Sequence, residues 1–137
     1  MTNSSFSSLP LTAELLETVK SMGFKKMTEI QAQGLPAILK GEDLLAQAKT
    51  GSCKTAAFAI GLLHKLEPQG YHTQALILCP TRELADQVSK ETRLLARAIP
   101  NIKIVTLCGG KPIGPQLASL EHHPHIVVGT PGRILKH

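Results

Sequence analysis

The chain has 137 residues, 42% of them hydrophobic, and none of its apolar runs approaches the roughly 20 residues that a membrane-crossing helix needs, so it reads as a single globular domain with a real core. Its 15 Lys and Arg against 10 Asp and Glu give a net charge of +5, which suits an anionic partner, while three Phe, one Tyr and no Trp argue against an aromatic platform for stacking single-stranded bases. Cys53, Cys79 and Cys108 are widely spaced and form no C-x-x-C pair, which argues against a disulfide framework and a zinc cluster.

The N-terminal MTNSSFSSLP lacks a basic stretch followed by an apolar one, so a cytoplasmic location is expected. The first element is a helix over Thr12 to Met22, with Leu15, Leu16, Val19 and Met22 at helical spacing and Gly23 as its stop. Thr28-Glu29-Ile30-Gln31 is a capping-box pattern opening a second helix, which Pro36 is predicted to kink or divide and Gly41 to end. Four short aliphatic runs follow: Leu44 to Ala48, Ala75 to Cys79, Ile102 to Cys108 and Ile126 to Gly129. They do not alternate, as strands buried on both faces do not. Helical patterns lie between them, over Lys54 to Leu66, Arg82 to Ala98 and Pro115 to Leu120. This alternation predicts an α/β fold, a parallel sheet flanked by helices, with ligands at the carboxyl ends of its strands.

Three segments fall at such ends. The first is AKTGSCKT, Ala48 to Thr55, between an apolar run and a helical pattern. A strand, a tight loop at Gly51 and Lys54-Thr55 opening a helix is a recipe for holding a polyphosphate. Loop and helix N–H groups face the anion, the lysine adds a point charge and the threonine hydroxyl can ligate Mg²⁺. Ala48 and Cys53 stand where the strict G-x-x-x-x-G-K-[ST] pattern has glycine. Cys53 is the weightier change, because its side chain sits where the backbone must approach phosphate; Cys53→Gly is expected to tighten nucleotide binding. The second segment is Pro80 to Ala85, PTRELA, and the third is Thr130 to Arg133, TPGR. In each, a helix N-terminus and an arginine, Arg82 or Arg133, suit a phosphate. Taken singly, both are equally ordinary strand-to-helix turns. Glu83 reads as a first-turn carboxylate favoured by the helix dipole, and His122, His123 and His125 as a solvated loop rather than a metal site.

The order GFKKMTEIQ, AKTGSCKT, PTRELA, GG, TPGR resembles the DEAD-box RNA helicase family from Phe6 to Arg133. In detail, LCPTRELADQV, LCGG and PHIVVGTPGR resemble its bacterial ribosomal-RNA branch. The resemblance implies a RecA-like P-loop NTPase fold, truncated here. It divides the chain into a Q-motif region with N-terminal helices (1–40) and a partial ATP-binding domain (41–137). It implies that Phe6, Phe24, Thr28 and Gln31 serve adenine, Gln31 reading the base edge. It also implies that Ala48, Lys49, Thr50, Gly51, Ser52, Cys53, Lys54 and Thr55 hold ATP, with Lys54 and Thr55 catalytic and Thr55 on Mg²⁺. Pro80, Thr81, Arg82, Glu83, Gly109, Gly110, Thr130, Pro131, Gly132 and Arg133 would hold the RNA backbone. Met27 replaces the more usual proline before Thr28. The Asp-Glu-Ala-Asp motif and the second RecA-like domain do not occur in the 137 residues, so the chain is expected to be an N-terminal fragment without useful hydrolysis on its own. Two other readings stay open: a stand-alone P-loop nucleotide-binding module or phosphotransferase, and a basic RNA-binding domain indifferent to nucleotide.

Overall fold

The computed structural model describes residues 5–24, 26–48 and 51–137, with residues 51–53 and 98 through their backbone alone. Two compact units result, one comprising the chain to Lys65 with Leu94–Ile99, the other Leu66–Arg93 with Pro100–His137.

The first unit is helical. A 3-10 turn at Phe6–Ser8 precedes α1 (Ala13–Ser21), whose N-cap Thr12 accepts the Leu15 N–H at 3.3 Å. α1 ends in a Schellman motif: the Gly23 N–H reaches the Lys20 carbonyl, the Phe24 N–H reaches the Val19 carbonyl, and Gly23 has a φ of +86°. α2 (Glu29–Leu39) closes the same way at Gly41, where φ is +83°. Pro36 lies inside α2 without dividing it. α3 runs Gly51–Lys65, three residues longer at its start than the sequence pattern indicates. It buries Ala56, Ala57, Ala59, Ile60 and Leu63, and α2 buries Ala32 and Leu35. The two helices pack closely because Gly61 leaves room for Ile38, whose side chain a Cβ there would strike. α1 buries Leu15 and Val19 and packs on a 3-10 turn at Ala96–Ala98.

The predicted strand over Leu44 to Ala48 does not form; the segment belongs to no helix or strand, and Leu45 is fully exposed. An aliphatic run becomes a strand only where another strand takes its N–H and C=O groups. Among the described residues none pairs with this one.

The second unit is built on a parallel sheet of β1 (Ala75–Leu78), β2 (Ile104–Leu107) and β3 (Ile126–Gly129), in the order β1–β3–β2. In register, Leu78 and Leu107 both face Gly129. α4 (Arg82–Leu95), α5 (Ile113–Leu120) and α6 (Pro131–Lys136) follow the strands in turn. Only β3 is buried throughout, as the all-apolar runs predict for every strand; β1 alternates and leaves Leu76 and Leu78 about half exposed. The physical reason is position: among the described residues β3 alone has a strand on either side, whereas β1 and β2 have one neighbour each. Among the described residues no helix is long and apolar enough to cross a membrane.

Candidate functional site

In the first unit, Thr28 and Gln31 form the anticipated capping box at the start of α2, with the Thr28 N–H donating to Gln31 Oε1 at 3.0 Å. Gln31 is only 1% exposed although polar, which is tolerable because its carboxamide is hydrogen-bonded. Phe6 and Phe24 meet as a tilted ring pair, centroids 6.4 Å apart, with Phe6 buried. Thus the four residues singled out before the phosphate loop form two pairs, one within a helix start and one across 18 residues of sequence. Thr28, Gln33, Gly34 and the segment from Leu44 to Ala48 line a cleft of about 550 Å³.

Lys54 and Thr55 lie in the first turns of α3; Thr55 is buried and Lys54 half-buried. Starting the helix at Gly51 makes the amides of Gly51, Ser52, Cys53 and Lys54 its first four N–H groups, those that find no acceptor within a helix. They are the amides an anion would use. Lys49 and Thr50 lie outside the described residues, as do the side chains of Gly51, Ser52 and Cys53.

In the second unit the other three segments converge, because β1, β3 and β2 are adjacent, parallel and end in register. The Cys79 N–H donates to the Gly129 carbonyl at 2.9 Å and the Thr130 N–H to the Leu107 carbonyl at 3.1 Å, so all three loops leave the sheet at the strands' carboxyl ends. Thr81 Oγ1 accepts the Leu84 N–H at 3.2 Å and caps α4, fixing Arg82 and Glu83 in its first turn. The Arg82 guanidinium lies over Gly110, which has a φ of +79° and where a Cβ would strike it. Glycine here meets two demands at once, a left-handed backbone and space for an arginine. Arg82 Nε also pairs with Glu83 Oε1 at 3.3 Å. A bond from its own backbone N–H, and then this arginine, hold the Glu83 carboxyl below its ordinary range. It is a poor general base.

Pro131 opens α6, placing Arg133 where its Nη1 donates to the Lys111 carbonyl at 3.0 Å and to Gln116 Oε1 at 3.2 Å. Lys111 Nζ in turn pairs with Asp86 Oδ1 at 3.5 Å. Pro80, Thr81, Arg82 and Glu83 are exposed, as are Gly110, Pro131 and Gly132; Gly109, Thr130 and Arg133 are half-buried. Beneath them Cys79 and Cys108 are free and buried, as expected of small hydrophobes, and burial raises both thiols above their ordinary range.

Residues 28–137 match the family described as DEAD/DEAH box helicase. The chain belongs to that family. It is similar to the ATP-dependent RNA helicase DbpA of Escherichia coli K12, 59% identical over 122 residues, which cover 89% of this chain and 27% of that protein. It is 45% identical over 132 residues to the DEAD-box ATP-dependent RNA helicase CshA of Bacillus cereus, covering 96% of this chain and 25% of the relative. Its fold matches the crystal structure of a DEAD box protein from Methanococcus jannaschii with a TM-score of 0.91 and 44% identity, over 98% of this chain and 36% of that one. A hypothetical ATP-dependent RNA helicase from Sulfolobus tokodaii follows at a TM-score of 0.80 and 36% identity, over 92% and 36%. The chain therefore spans about a quarter of the length of the curated relatives it matches. The fold anticipated for it, a RecA-like parallel sheet flanked by helices and truncated, agrees with these neighbours.

Two parts of this DEAD-box chain escape a motif-based reading. Gln116 and Lys111 belong to none of the motifs, and Asp86 lies just past PTRELA, yet the three tie the loops together. Gln116 is the polar exception in the apolar first half of α5, IGPQL, and that is its only sequence signal. The second is His125, which is not solvated like His122 and His123 but 5% exposed. Its Nδ1 accepts the Lys103 N–H at 3.1 Å and its Nε2 donates to the Pro68 carbonyl at 3.0 Å, a backbone clasp at the strands' opposite ends. Only the fold brings Pro68 within reach.

Proposed function

We propose that the chain is the ATP- and RNA-binding N-terminal portion of a cytoplasmic, ATP-dependent DEAD-box RNA helicase that remodels ribosomal RNA. The observation that carries this reading is the gathering of Pro80–Glu83, Gly109–Gly110 and Thr130–Arg133 at the ends of adjacent parallel strands, with Arg82, Lys111 and Arg133 among them. Cations and helix starts on one rim suit the phosphates of an RNA backbone and carry no base code of their own. The net charge of +5 agrees.

The nucleotide belongs to the first unit. Phe6, Phe24, Thr28 and Gln31 would serve adenine, a carboxamide being able to donate to and accept from one base edge. Residues 48–55 would hold the phosphates. The residues at the start of α3 fit a polyphosphate with Mg²⁺: first-turn amides that have no acceptor within their own helix, the Lys54 cation, and in Thr55 a hard oxygen ligand of the kind Mg²⁺ prefers. When bound, that ion would neutralise phosphate charge. Because the 137 residues contain no Asp-Glu-Ala-Asp, these residues by themselves bind nucleotide weakly and turn over no ATP. In the whole protein a second RecA-like domain would close on RNA and complete the reaction.

Isothermal titration with ADP and GDP tests the nucleotide half. ADP should bind preferentially, and Gln31→Ala should erase the preference. Equal affinity for both nucleotides would leave a plain P-loop nucleotide-binding module as the better account. Binding of an RNA oligonucleotide that weakens with salt tests the other half.

A further inference from the structure

We propose that Gln116 is a positioning residue that latches the Gly109–Gly110 loop to Arg133, so that the two engage RNA as one rigid grip; the inference rests on the RNA reading above. Gln116 is 7% exposed and sits on α5, outside every motif. Its Nε2 donates to the Cys108 carbonyl at 3.0 Å, immediately before Gly109. Its Oε1 accepts from Arg133 Nη1 at 3.2 Å and lies 3.2 Å from His137 Nε2. The carboxamide has only one workable orientation, because a carbonyl accepts only and a guanidinium donates only. One side chain thus fixes the end of β2 and the arginine in the first turn of α6, which follows β3.

The consequence for Arg133 is directional. Nη1 uses both its hydrogens on Gln116 Oε1 and the Lys111 carbonyl. The Nη2 and Nε hydrogens then form the edge left for a phosphate, on a guanidinium already held before RNA arrives. A guanidinium held this way gives up less rotamer freedom on binding than a mobile one. Two residues beyond Cys108, Gly110 has a φ of +79° and Arg82 lies over it, so the second arginine packs on the same loop. Removing the carboxamide should loosen the loop and Arg133 together.

The test is fluorescence anisotropy of a labelled single-stranded RNA decamer with the full 137-residue chain, across 50 to 200 mM salt. Parent, Gln116→Leu, Arg133→Ala and the double variant are compared. Each single change is expected to weaken binding about tenfold and to lower the salt slope by about 0.7, the share of one phosphate contact. The double variant should be little worse than either single one, because both remove the same grip. Thermal unfolding of each variant confirms that the measurements are made on folded chains. Should Gln116→Leu not fold, Gln116→Glu takes its place: it is the same size, loses the bond to Cys108 and sets a carboxylate against Arg133, and it too should bind RNA about tenfold more weakly. A parent that binds RNA, an Arg133→Ala variant that loses affinity and a Gln116 variant that binds like the parent would overturn the latch alone. So would additive losses in the double variant. A parent that does not bind, or an Arg133→Ala variant that binds like it, would overturn the RNA reading and the latch with it.

Discussion

In the helical unit, four of the residues proposed for the nucleotide lie within single elements or their caps. Thr28 and Gln31 are one capping box, and Lys54 and Thr55 stand in the first turns of one helix. In the other unit the residues proposed for RNA come from loops and helix starts after three different strands, and side-chain bonds across 17 to 26 residues of sequence draw them together. A local site needs only the right helix start. A convergent site needs the whole sheet, and is as fragile as its register. The first kind should respond to mutation by losing its ligand, the second by losing its shape.

The sharpest way to break that contrast is Gly129→Val. Valine favours strands, yet a Cβ there lies 2.5 Å from the Leu107 carbonyl oxygen and 2.7 Å from Ile134. The substitution should destabilise the sheet by about 3 kcal/mol, the upper end for overpacking, and thermal unfolding reads it. A melting temperature equal to the parent's would mean that register does not hold the loops. Lys54→Ala should do the reverse, costing about 2 kcal/mol of nucleotide affinity, roughly thirtyfold, with an unchanged melt. Titration with ADP and a melt of the same sample decide it.

His125→Leu preserves bulk but strands the Lys103 N–H and the Pro68 carbonyl. A loss of about 1.5 kcal/mol in urea unfolding is expected; no loss would show that water replaces the clasp. Thr28→Ala removes a capping box and should cost about 1 kcal/mol, with a small fall in nucleotide affinity as Gln31 loosens. The smallest effect concerns pH. Burial raises Cys79 and Cys108 above the ordinary thiol value of 9.0, so the folded form keeps these protons longer than the unfolded chain does. Their contribution to stability is therefore full below about pH 9 and declines as pH rises further. In the native protein both should resist alkylation and react once denatured; fast native labelling would contradict their burial.

Much of this was legible in residue order. Runs of apolar residues at period 3.6, capping residues and glycine stops are local signals, so α1, α2 and α4 lie close to where the pattern puts them, with Gly23 and Gly41 in the left-handed conformation that only glycine takes cheaply. The motifs too are strings, and they identify the family without coordinates. The strand over Leu44 to Ala48 was misread because an aliphatic run states a preference, whereas a strand requires a partner. Uniform burial was misjudged for β1 and β2 because edge and centre are properties of strand order, on which composition is silent.

The amino-acid order by itself determined the family and the helix boundaries to within a few residues, since each depends on neighbours along the chain. Tertiary structure alone decided that β3 is central, that His125 is buried between backbone groups, and that Gln116 joins Cys108 to Arg133. Those facts follow from parallel pairing of segments far apart in sequence, and a hydrogen bond between distant residues leaves no periodicity to read.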